Sequence, residues 1–79
     1  MTPAQCRAAR ALIPISQDAL AADSGVAKRT IASFEGGAAQ PYPRTVSAIR
    51  AALEAAGVVF LDENGNGPGV ALRKTAEAS

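Results

Sequence analysis

The chain has no histidine and a single cysteine, Cys6. A zinc site therefore lacks its ligands, no internal disulfide is possible, and no metal or other cofactor is expected. Cys6 falls on the expected inner face of the first helix, where a free thiol serves as a small buried hydrophobe. Carboxylates are scattered over separate helices and a loop. Neither a nucleophile–base pair nor an acid–base dyad can be assembled from such a set, so an enzyme is not expected. A glycine-rich phosphate loop after a strand is missing too, because the Gly65 to Gly69 cluster lies between two expected strands and reads as a turn.

Charge of one sign is equally scarce. Lys and Arg number 8 against 7 Asp and Glu, a formal net charge of +1, so no global basic field announces a polyanionic partner. The distribution is less even: Arg7, Arg10, Lys28, Arg29, Arg44 and Arg50 precede Gly57, while Asp62, Glu63 and Glu77 follow it. The part before Gly57 is modestly basic. No segment is long and apolar enough to cross a bilayer, and no charged stretch followed by an apolar run opens the chain. A soluble, cytoplasmic protein with no membrane partner is the expectation.

Hydrophobic residues make up 48% of the 79 positions, but roughly a quarter of the chain is alanine, which favours helix and buries little area. One small domain with a marginal core follows, and dimerisation is the expected supplement.

Thr2-Pro3-Ala4-Gln5 reads as a helix start, with Thr2 as cap and Gln5 placed for a capping box. That helix should run to about Ile13, with Cys6, Ala9, Leu12 and Ile13 facing the core, and end at Pro14. Ser16 caps the next helix, and Asp18 suits the positive end of its dipole. From Ser16 to Phe34 the spacing is that of two short helices around a tight turn. Leu20 and Ala21 lie on the inner face, Gly25 supplies a positive φ in the turn, and Val26, Ile31 and Phe34 point back inward. The second of these helices, Lys28 to Glu35, is then free to enter a DNA major groove. Its outward residues are Ala27, Lys28, Arg29, Ala32 and Ser33. Arg29 or Lys28 could reach guanine acceptors or neutralise phosphates, Ser33 could donate to base or backbone, and Thr30 suits a phosphate contact or local capping.

With SQ at its start, GV in the turn, RTI along the second helix and FEGG at its end, this stretch resembles the lambda-repressor/Cro-like helix-turn-helix family. The similarity runs roughly from Cys6 to Gly57. It implies a DNA-binding fold in which Gln17 contacts the DNA backbone and the loop and helix start holding Tyr42, Arg44 and Thr45 lie against phosphates; the alternative is that Tyr42 packs on its loop and Arg44 is solvated. Two positions depart from the family pattern. Ser24 stands at a usually apolar place, and Ala27 stands where a Ser or Thr normally caps the second helix, a loss of about 1 kcal/mol.

Gly36 and Gly37 end the second helix of the motif, Pro41 and Pro43 close a loop from Ala38 to Tyr42, and Pro43 starts another helix. There Val46, Ile49, Leu53 and Ala56 form an apolar stripe, Arg50 and Glu54 can pair, and Gly57 stops the helix. Val58-Val59-Phe60-Leu61 and Gly69-Val70-Ala71-Leu72-Arg73 are β-prone runs around Asn-Gly and Gly-Pro turn signals, which together predict a hairpin. A lone hairpin is marginal in water. Val58, Val59, Phe60, Leu61, Val70 and Leu72 are therefore candidates for a dimer or partner interface, with packing on the helices as the alternative.

The expected fold is mainly α: a compact four-helix helix-turn-helix domain over 1–57, a short C-terminal β-hairpin over 58–73, and a flexible tail over 74–79. The leading functional expectation is a sequence-specific regulator, a small dimeric repressor of double-stranded DNA that occludes a promoter, since so short a chain leaves no room for an effector domain. The second is an antiactivator that sequesters a transcriptional activator protein, as small helix-turn-helix quorum-sensing antiactivators of bacterial mobile elements do. The third is the antidote subunit of a toxin–antidote pair.

Overall fold

The computed structural model describes residues 1–38, 40–63 and 65–73, so the expected tail over 74–79 lies outside the described residues. Four helices are followed by a hairpin: α1 (Pro3–Leu12), α2 (Gln17–Ser24), α3 (Lys28–Glu35), α4 (Pro43–Ala55), β1 (Val58–Leu61) and β2 (Gly69–Leu72). The mainly α fold with a C-terminal β-hairpin is the one expected.

Local chemistry sets the boundaries. Thr2 Oγ1 accepts from the Gln5 amide N–H at 3.0 Å while Thr2 N–H donates to Gln5 Oε1 at 2.8 Å, a complete capping box with Pro3 at the first helical position. Ser16 Oγ accepts from Ala19 N–H at 3.0 Å and opens α2. Gly25, at φ +74°, closes α2 in the left-handed region and redirects the chain into α3. Ala27 caps α3 through its backbone alone, with no side-chain hydrogen bond, as its methyl group requires.

The core is one cluster: Cys6 and Ala9 from α1, Leu20 from α2, Ile31 and Phe34 from α3, Ile49 and Leu53 from α4, and Val58 and Phe60 from β1. Each of the larger side chains contributes about 1.5–3 kcal/mol by leaving water. Two inner-face expectations are corrected. Leu12 is exposed, because Ile13 and Ile15 pack against the core where α1 ends. Ala56 is exposed as well, since α4 stops at Ala55 and Gly57, at φ +109°, turns the chain towards β1.

β1 and β2 pair antiparallel within the chain, Val58 opposite Leu72 and Leu61 opposite Gly69. Alternation puts Val58 and Phe60 into the core and leaves Val59 and Leu61 outside. The sheet is fastened to the helices by a residue whose reach the sequence does not announce. Gln5, buried in α1, uses its oxygen in the capping box and its Nε2 to donate to the Leu61 and Gly69 carbonyls at 3.2 and 2.9 Å. At the other end the Arg50 guanidinium lies 4.9 Å over the Phe60 ring and holds Glu54 at 3.0 Å, the pairing expected on α4.

Candidate nucleic-acid interface

α2 packs on α3 around the Gly25 turn, and α3 presents its inner side chains Ile31, Phe34 and Glu35 to the core. Glu35 is the unexpected member. Only 3% exposed, its carboxylate accepts from Arg10 Nε at 2.7 Å and Arg10 Nη2 at 2.8 Å, from Gln17 Nε2 at 3.0 Å and from Cys6 Sγ at 3.1 Å. Arg7 donates to the Glu35 backbone carbonyl, a cation at the negative end of the α3 dipole. Arg10 also reaches the Ile15 carbonyl at 3.2 Å. One carboxylate thus joins α1, α2 and the end of α3, fixing how α3 sits on the other two helices.

The electrostatics of this cluster follow from its contacts. Burial pushes the Glu35 carboxyl upward, but the hydrogen bonds from Arg10, Gln17 and Cys6 outweigh it and hold the group below its ordinary value. The Cys6 thiol is pushed up to about 12, first by burial and then by its hydrogen bond to the Glu35 anion. A thiol so protonated is an inert packing group, in keeping with its expected role.

The sequence-derived contact residues fall into two groups. In the first, Ala27, Lys28 and Arg29 are exposed and Thr30 and Ser33 half-buried on α3. Lys28 Nζ lies 3.2 Å from Asp18 Oδ1, so the first turns of α2 and α3 adjoin. Among the described residues Arg29 makes no ion pair or hydrogen bond. Gln17 is half-buried and gives one amide N–H to Glu35; its second N–H has no partner among the described residues. The second group stands at the start of α4. Tyr42 is the cap residue, held between Pro41 and Pro43 and 75% exposed, with Arg44 exposed and Thr45 half-buried. Thus Tyr42 does not pack on its loop. Among the described residues no hydrogen bond or ion pair joins this group to the first.

The hairpin candidates divide by register. Val58 and Phe60 are core residues and Val70 is half-buried, so their side chains are committed within the chain; Val59, Leu61 and Leu72 are exposed. Glu35 and the second role of Gln5, its ties to the hairpin carbonyls, were not among the sequence expectations. A signal for Glu35 exists: it stands four residues after Ile31, on the same inner column of the helix. Among the described residues no His, Cys, Asp or Glu cluster is placed to hold a metal ion, and no helix is long and apolar enough to cross a membrane. No protein-family model matches the chain, and no curated protein is similar enough to count as a relative.

Proposed function

We propose that this chain is a sequence-specific DNA-binding regulator, a cytoplasmic repressor that works as a symmetric dimer with α3 of each copy in the major groove. The observation that carries this reading is the α2–Gly25–α3 unit. It combines a short helix pinned at its far end by the Glu35 cluster with an outward face that carries Lys28, Arg29 and Ser33. A recognition helix needs that combination, because a helix that rocks on its support cannot hold donors against base edges. The start of α4, with Arg44 and Tyr42 exposed, is suited to phosphate contacts that fix the register on the duplex. Exposed Val59, Leu61 and Leu72 are suited to joining two copies.

Exposed Val59, Leu61 and Leu72 also support a second reading, in which the chain binds and sequesters a transcriptional activator protein. Favouring it is that three of the seven Lys and Arg side chains among the described residues are taken up by carboxylates. Arg10, Lys28 and Arg50 are each neutralised by a carboxylate.

A salt titration separates the two. Binding to the DNA upstream of the chain's own gene, compared with random duplex at physiological salt, should be tighter by about a thousandfold or more for a specific regulator. Equal, weak binding to both duplexes that disappears together as salt rises would overturn the DNA reading and leave the activator-binding one.

A further inference from the structure

Helix α3 carries two adjacent cations in different surroundings. At about 100° per residue, Ile31, Phe34 and Glu35 define the buried direction, and Arg29 projects within about 15° of the opposite one. Lys28 projects about 100° from Arg29, on the flank where Asp18 of α2 holds its Nζ at 3.2 and 3.3 Å. Arg29 is exposed and makes no ion pair or hydrogen bond among the described residues. The eight residues of α3 include neither Asn nor Gln, the side chains that read adenine through two bonds.

We infer that Arg29 alone reads a guanine in each DNA half-site, donating to its O6 and N7, while Lys28 stays with Asp18 and contributes charge without base preference. This rests on the DNA-reading function proposed above. The planar guanidinium fork matches the two acceptors of guanine, whereas the Lys28 ammonium is a single point of charge already facing α2. Docking strengthens that pairing. A carboxylate on the first turn of α2, beside the first turn of α3, comes close to the phosphates when α3 enters the groove, and repulsion rises if Asp18 gives up its cation.

The test is selection of bound sequences from a random duplex pool by the full chain and by R29A, K28A and D18N, each checked for unchanged helicity. The wild type should select one invariant guanine per half-site. R29A should flatten that position alone, a loss of about five- to hundredfold in discrimination. K28A should weaken binding to all sequences evenly, and D18N should add a preference at a neighbouring base pair by releasing Lys28. A second arm needs no variant. Replacing the selected guanine with 7-deazaguanine, which lacks N7 but keeps O6, should weaken the wild type by part of what R29A costs and leave R29A itself unaffected. A guanine preference that survives R29A, or that K28A erases, overturns the assignment while the DNA-reading function stands. A wild type that selects no sequence overturns both.

Discussion

Replacing Glu35 with Ala removes the group on which three helices converge, and the structure sets the size of the effect. The change deletes two charge-assisted hydrogen bonds from Arg10 and the bonds from Gln17 and Cys6, leaving a guanidinium whose side chain is only 22% exposed. Breaking a buried pair from one side costs about 3–5 kcal/mol; the residual solvent access of Arg10 places this one near the lower end, about 3 kcal/mol. A chain of this size has a total stability of about 4–12 kcal/mol, so the loss is a quarter of it or more. In a thermal melt it corresponds to a fall of about 12–24 °C. Substituting both partners, Arg10→Met with Glu35→Leu, leaves no orphaned charge and should cost less than about 1 kcal/mol. Urea unfolding followed by helical circular dichroism measures Glu35→Ala, the double variant and its two singles, Arg10→Met and Glu35→Leu, and the last three give the coupling energy. A Glu35→Ala loss below about 1 kcal/mol, or a double variant that costs the sum of the singles, would refute the role assigned to this carboxylate.

Three further outcomes follow from the same contacts. Glu35 has a native value below the ordinary 4.5, so its contribution is present above that pH and is lost as pH falls through the lower native value; Cys6, raised from 9.0 to about 12, stabilises the fold below pH 9.0 and ceases to as pH rises across that interval. Urea midpoints against pH should therefore fall on both sides, and Glu35→Gln should flatten the acid limb. Gln5→Ala removes the bond from Thr2 N–H to Gln5 Oε1 and the ties to the Leu61 and Gly69 carbonyls while keeping the Gln5 N–H bond to Thr2 Oγ1, costing about 1–3 kcal/mol, with faster amide exchange in β1 and β2 as the local readout. Ala27→Ser supplies the missing cap of α3 and should raise stability by about 1 kcal/mol, measured by the same unfolding curves.

Much of the fold is legible because its punctuation is local. Thr2, Ser16, Gly25, the Pro41–Pro43 pair and Gly57 each act within a few residues of themselves, and the helix limits they imply agree with the structure to within a residue. The cluster around Glu35 is of another kind. Its partners lie 18, 25 and 29 positions away, and although the place of Glu35 on the Ile31 column marks it as inward, nothing local names the groups that meet it there. Gln5 is the same case at greater range, with a correct local role in the cap and a second one 56 and 64 positions along the chain. The hairpin shows the limit of reading apolar runs as surfaces. Strand alternation divides Val58 and Phe60 from Val59 and Leu61, and only the second pair is left outside.

The proposed function requires α3 and the start of α4 to form one DNA-reading surface. Titrating isotope-labelled protein with the upstream duplex and following backbone amide shifts tests it most directly. The largest changes should fall at Gln17, Lys28 to Ser33 and Tyr42 to Thr45, with Ile49 and Leu53 in the core unmoved. Changes confined to Val59, Leu61 and Leu72, or none at saturating DNA, would contradict it.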